Sequence, residues 1–93
     1  MRISEDEIIN AVCLNIADRR GVQPTDVEVQ LSWEEDYGFT AEIWVSGRSQ
    51  YLIEANLLEA IEQYMFTEYN KRVYRSNIKI DADEEFFFAD IME

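Results

Sequence analysis

The sequence has no histidine, one cysteine, one proline and three glycines among its 93 residues, and each shortage removes something. Without histidine there is no Ser–His or Cys–His nucleophile pair, which excludes a large share of hydrolytic and acyl-transfer chemistry. Cys13 alone cannot close an intramolecular disulfide, and a structural zinc site needs about four Cys or His ligands. Neither a disulfide framework nor such a metal site is expected, and a lone thiol fits a reduced cytoplasm. No apolar run approaches the ~18 residues that a membrane helix needs. The stretch Met1-Arg2-Ile3-Ser4-Glu5-Asp6-Glu7 is acidic where a signal peptide would be basic and then apolar. The expectation is a cytoplasmic protein, neither exported nor inserted in a membrane.

Cations are scarce as well. Eight Lys and Arg stand against twenty Asp and Glu, a formal charge of −12. That balance repels nucleic acid phosphate and anionic lipid and favours a basic partner, although a charge of this size also serves plain solubility. What the chain has is grease: 47% of its residues are hydrophobic and 13% aromatic, enough to offset the ordering entropy of one domain around one modest core.

The pattern along the chain predicts an α+β domain in the order α-β-β-β-α-β. Ser4 and Glu7 form a capping-box pair, with Ile3 as a staple, opening a helix over about Glu5 to Arg20. Its apolar stripe is Ile8, Ile9, Val12, Cys13 and Ile16, which leaves Leu14 on the wet side. After Gly21 and Pro24, Val27, Val29, Leu31 and Trp33 alternate with polar residues as a first strand. Phe39, Ala41, Ile43 and Val45 do the same beyond the polar connection closed by Gly38. A third strand over Gln50 to Ala55 follows the turn at Ser46-Gly47-Arg48. A three-residue loop there would send Tyr51 and Ile53 inward, whereas a two-residue loop centred on Gly47-Arg48 would send Leu52 inward and set Tyr51 beside Trp44 on the outer face.

Asn56 and Glu59 repeat the capping logic for a second helix, with Leu57, Leu58, Ile61, Tyr64, Met65 and Tyr69 on its buried stripe and Phe66 on its far side. A last strand over Val73 to Ile80 would point Tyr74, Ile78 and Ile80 one way. Its basic residues could then pair with Glu28 or Glu42 across the sheet. The architecture expected is an antiparallel meander with both helices on one face. It divides into a domain over residues 1–80 and a short acidic, aromatic segment over 81–93.

That last segment holds six acids (Asp81, Asp83, Glu84, Glu85, Asp90, Glu93), no cation, and the run Phe86-Phe87-Phe88. Asp81 to Glu84 reads as another capping box, for a terminal helix; as a calcium loop the segment lacks the required glycine and terminal glutamate. Rings flanked by acids make a recognition segment in which the acids steer and the rings anchor. The competing reading docks the phenylalanines on the protein's own core or on a second subunit. Leu14, Trp44, Phe66, Phe86, Phe87 and Phe88 are the candidate interaction residues. No catalytic, cofactor-binding or metal-ligating residue stands out, because no pair of carboxylates rises above an acidic background of twenty.

The helix, three strands, helix order resembles the double-stranded RNA-binding domain, including Phe39 at a strand start and a turn glycine at Gly47. The lysines with which that family grips phosphate are replaced here by Asn56-Leu57-Leu58-Glu59, and like charges would face one another. A second resemblance rests on Met1-Arg2-Ile3-Ser4-Glu5-Asp6-Glu7-Ile8-Ile9-Asn10-Ala11 together with Trp44-Val45-Ser46-Gly47-Arg48-Ser49-Gln50-Tyr51-Leu52-Ile53-Glu54-Ala55-Asn56. These stretches resemble the YxcD family of small uncharacterised proteins of Bacillus-type bacteria. The resemblance implies a bacterial cytoplasmic origin and a shared fold, and no catalytic residue to carry over.

The function expected is therefore a non-enzymatic protein–protein interaction domain, in part a homodimer, that takes a basic or amphipathic protein partner. It needs no cofactor and binds neither nucleic acid nor membrane. Two alternatives are a nucleic-acid mimic that inhibits a basic DNA-binding protein and, from a different class, a small enzyme or ligand-binding protein using carboxylates in a cleft between sheet and helix.

Overall fold

The computed structural model describes residues 1–92; Glu93, counted above in the acidic segment, lies outside them. The chain enters as a short strand β1 (Arg2–Ser4) and turns directly into helix α1 (Glu5–Arg20). The capping box forms as its residues dictate: the Glu7 N–H donates to Ser4 Oγ at 3.2 Å and the Ser4 N–H to Glu7 Oε1 at 3.4 Å. Glu5, Asp6 and Glu7 occupy the first turn and Arg19 and Arg20 the last, each sign facing the favourable end of the helix dipole. Gly21 closes the helix at φ 67°, a left-handed conformation that costs glycine least.

Three strands follow, β2 (Val27–Glu34), β3 (Gly38–Val45) and β4 (Arg48–Leu52), forming an antiparallel meander. Val45 pairs with Arg48, so the second hairpin has a two-residue loop, Ser46-Gly47. Both loop residues have positive φ, 53° and 77°, the mark of the type I′ turn whose twist matches that of the strands. The loop is two residues long but lies one residue before Gly47-Arg48: Leu52 is buried and Tyr51 faces outward, as a two-residue loop requires, yet Tyr51 stands opposite Glu42 while Trp44 pairs with Ser49.

Helix α2 (Glu54–Tyr69) begins two residues before Asn56. The Asn56 side chain does cap it, but from the third helical position, by accepting the Ile53 N–H at 3.0 Å. Ala55 is thereby helical and the third strand ends at Leu52. The two helices pack against each other, α1 against β2 and α2 against β3 and β4. Ile8, Val12, Ile43, Leu57, Ile61 and Met65 fill the core, all at most 1% exposed. Glu7 also ties the helices at their far ends: Tyr64 donates to its Oε2 at 3.2 Å and Tyr69 donates to the same oxygen. That bond holds the Tyr69 hydroxyl protonated, pushing its pKa up to about 12.

The last third of the chain departs from the expected pattern. Residues after α2 stay irregular until a 3-10 turn at Arg75–Asn77, fixed by the Asn77 side chain accepting the Tyr74 N–H. Tyr74 is exposed rather than inward, and β5 spans Ile78–Ala82. The acidic segment makes no helix: Glu84-Glu85 turn the chain back into β6 (Phe87–Ile91). Asp83 caps this turn by accepting the Glu85 and Phe86 N–H groups, each at 2.8 Å.

β6 lies between β1 and β5 in a second antiparallel sheet. A boundary at residue 80 therefore cuts through this sheet, whose middle strand comes from the acidic, aromatic segment. Because β5 belongs to this sheet, its neighbourhood pairs differently from the sequence expectation. Arg75 meets Glu62 of α2 at 3.1 Å and Lys79 meets Asp81 at 4.0 Å, in place of Glu28 or Glu42. No helix among the described residues is long and apolar enough to cross a membrane.

The turn at Ser46-Gly47 gives a direct check on the register. Nothing lies within 4 Å of a Cβ built on Gly47, so Gly47→Ala should cost only its left-handed backbone, about 1 kcal/mol. Ser46→Asn, the residue this turn prefers, should gain a few tenths of a kcal/mol, or about 1 at most. Urea midpoints of the two variants, moving in opposite directions, are the expected result.

Candidate interaction face

Strand alternation divides the phenylalanine run. Phe87, Ala89 and Ile91 point inward, with Ala89 and Ile91 buried, while Phe88 and Asp90 share the opposite face of β6. Phe87 is half-buried and meets Phe39 of β3 edge-to-face at 5.9 Å, which joins the two sheets through a pair of rings. Its N–H donates to Glu5 Oε1 at 2.8 Å, fixing the strand to the first turn of α1. Phe88 is half-buried beneath the Arg2 guanidinium, which sits 3.9 Å from the ring centroid. Phe86, at the hairpin turn, stands 58% exposed.

These residues line a concavity of about 340 Å³ with Arg2, Ser4, Glu5, Asp6 and Asp83. The rings make an apolar wall. Glu5, Asp6 and Asp83 make an anionic rim, extended beyond Phe86 by the exposed Glu84 and Glu85. Arg2 is the one cation in it and is already engaged: it grips Asp90 through Nε at 2.7 Å and Nη2 at 3.2 Å. The Arg2 hydrogen bond holds the Asp90 carboxyl below its ordinary range. The Phe86 and Glu85 N–H groups do the same for Asp83. Both acids therefore stay ionised, which for Asp83 suits an anionic binding rim and not a proton donor.

The other candidates lie elsewhere. Leu14, expected on the wet side, is half-buried and packs against the core where α1 meets α2, beside Ala60, Gln63 and Tyr64. Trp44 is half-buried on the outer face of the meander, between Glu28 and Ser49. Phe66 is 52% exposed on α2, with the Arg72 guanidinium 5.6 Å from its ring. The structure thus brings Phe86, Phe87 and Phe88 together and leaves Leu14, Trp44 and Phe66 apart from them.

Arg2 and Glu5 escaped the sequence reading. The alternation of Arg2, Ile3 and Ser4 is too short to announce a strand, and only the pairing with residues 88–90 gives it meaning. Among the described residues, no three acidic or thiol groups converge closely enough to hold a metal ion.

Comparison with known proteins places this geometry in a lineage without assigning it a role. The profile of a family described as "Protein of unknown function (DUF2653)" matches residues 1–85. The chain is 28% identical over 87 residues to the uncharacterized protein YxcD of Bacillus subtilis (strain 168), an alignment covering 90% of this chain and 85% of that protein. No solved structure matches the chain.

The carboxylates of Asp83 and Asp90 make a pH prediction. A carboxyl held low when folded binds fewer protons in the native than in the unfolded state. Its stabilisation is therefore complete above the ordinary value of 3.8 and lost as the pH falls through the lowered folded value. Acid unfolding followed by circular dichroism should be steepest below pH 3.8. Asp83→Asn and Asp90→Asn should each flatten that limb while lowering the melting temperature at neutral pH. A limb unchanged in both variants would show that these contacts contribute nothing.

Proposed function

The chain belongs to the DUF2653 family of proteins of unknown function, and we propose that it is a non-enzymatic interaction domain. Its site is the concavity beside the β5–β6 turn. Its partner is a basic or amphipathic segment of another protein. The observation that carries this reading is Phe86, 58% exposed at the mouth of a hollow walled by Phe87 and Phe88 and ringed by acids. A large ring held out in water at a hydrogen-bonded hairpin turn is the kind of anchor on which binding energy concentrates. The surrounding charge draws Lys and Arg and speeds encounter. Because Phe87 and Phe88 are held by the fold, the wall exists before a partner arrives and little ordering cost is added on binding.

The space between helices and meander, where a carboxylate-lined cleft would have to open, is filled by Ile8, Ile43, Leu57, Ile61 and Met65. That filling weighs toward a surface function. The compartment that goes with this reading is the cytoplasm, with Cys13 kept as a free, half-buried thiol.

Removing the residues after Ile80 would delete the middle strand of a sheet, so point substitutions are the sound test. The probe is a synthetic helical peptide alternating Lys and Leu faces, with a Glu-for-Lys version as control, followed by fluorescence anisotropy. The expected result is binding of the basic peptide alone, weakened about tenfold or more by Phe86→Ala, equivalent to about 1.4 kcal/mol, with an unchanged melting temperature. Glu84→Gln with Glu85→Gln should chiefly slow association and reduce its salt dependence. Equal affinity for wild type and Phe86→Ala would retire the proposal.

A further inference from the structure

The two sheets have four free edges, and three of them are poor places for another strand to add. β1 is only three residues long. β5 runs into the acidic turn Asp83-Glu84-Glu85. β2 is long, but residues 26–36 carry Asp26, Glu28, Glu34, Glu35 and Asp36 and no cation. Two copies of a chain of charge −12 repel one another most strongly where such acids meet.

β4 is different. Residues 46–53 contain no acid, and their only charge is Arg48. Arg48, Ser49, Gln50 and Tyr51 are all exposed. On the inner face the Gln50 side chain is taken by Arg20 of α1, and no strand among the described residues pairs with the far edge of β4. Apart from its shortness and the single charge of Arg48, the strand lacks the devices that natural edges use against pairing: it has no proline, no lysine and no carboxylate.

The register determines what this edge offers. In a two-residue hairpin the residues flanking the loop form a hydrogen-bonded pair, so Val45↔Arg48, Ile43↔Gln50 and Ala41↔Leu52 direct their main-chain groups at each other. The N–H and C=O of Ser49 and Tyr51 therefore point away from β3. Beyond them, the Ile53 N–H and C=O are already used at the start of α2. The open edge is short and symmetric about Gln50.

We propose that β4 is a self-association edge, at which two copies of this chain pair antiparallel about a twofold axis passing beside Gln50. Ser49 of each copy then faces Tyr51 of the other, and each such pair exchanges both of its main-chain hydrogen bonds. Two three-stranded meanders become one continuous sheet. On the outer face Ser49 also lies directly beside Trp44. A serine leaves room for the Tyr51 ring of the second copy, 70% exposed in the single chain, to lie across it toward that indole. The contact is narrow, below the roughly 1,000 Å² that marks a stable interface, so association is expected in the micromolar range or weaker.

This assembly goes beyond the proposed partner site, which lies in the other sheet, and the two fail separately. Sedimentation velocity of the full chain at rising concentration, up to on the order of 1 mM, should show a monomer–dimer equilibrium. The equilibrium should strengthen with added salt, because screening removes the repulsion between two anionic bodies while leaving main-chain hydrogen bonds in place. Ser49→Pro removes one outward N–H without touching the β3 ladder and should weaken association at least tenfold. Ser49→Glu, which keeps the backbone intact and adds a like charge beside the axis, should do the same and carries the test if the proline variant does not fold. The Ser49 and Tyr51 amides should exchange more slowly as concentration rises. A monomer at every concentration, a dimer indifferent to both substitutions, or association that salt weakens would each overturn the proposal. The last would point instead to contact between the acidic turn and the basic stretch around Arg72.

Discussion

The pairing of β6 with β1 brings together residues that are 84 to 88 positions apart, Arg2 with Asp90, Ile3 with Ala89 and Ser4 with Phe88. Closing such a loop costs entropy that only dense local contact can offset. Here it is offset by Ile3 and Ala89, both 0% exposed, and Ile91, 2% exposed, and by the ladder bond from the Ile91 N–H to Met1 O at 2.7 Å. With β5 on its other side, β6 is the only strand of the second sheet with neighbours on both edges. The Phe39–Phe87 contact then carries its position into the first sheet.

The interaction face follows from that closure. Phe87 faces the core and Phe88 lies under Arg2 because a strand alternates its side chains, and Phe86 is left outside because it precedes the strand. The acids around it are there for local reasons as well. Glu5 and Asp6 belong to the first turn of α1, where the helix dipole favours them, and Asp83 caps a turn. A charged rim around an aromatic wall thus needs no residue whose position is not already set by secondary structure. At the opposite end of α1's first turn the Glu7 carboxylate does similar work, joining the helix cap to Tyr64 and Tyr69 of α2.

Local chemistry was legible in the sequence wherever it is complete within a few residues. Ser4 with Glu7, Gly21, and the alternation through Val27–Trp33 and Phe39–Val45 announce a helix, its end and a hairpin, and the structure has all of them. The family resemblance was legible too, through the stretches around Ser4 and Gly47. What could not be read is whatever depends on distant partners. Arg2–Ser4 is a strand only because residues 88–90 lie beside it. The pattern from Asp81 to Glu84 suits a helix cap as well as a hairpin, and β-pairing on both sides decides between them. The misplaced start of α2 has a different origin, since Asn56 satisfies an orphan N–H equally well from the third position as from the cap. Leu14 was misjudged because a single helix gives no sign of a second helix along its flank.

Amide hydrogen exchange tests the central placement most directly. If β6 is the middle strand of a sheet that closes the fold, the Ala89 and Ile91 amides should exchange only through global opening, as slowly as those of Ile43 in β3. Exchange of Ala89 and Ile91 at free-peptide rates while β3 and α1 stay protected would contradict it, leaving the acidic, aromatic segment as an appendage and the face built on it without a frame.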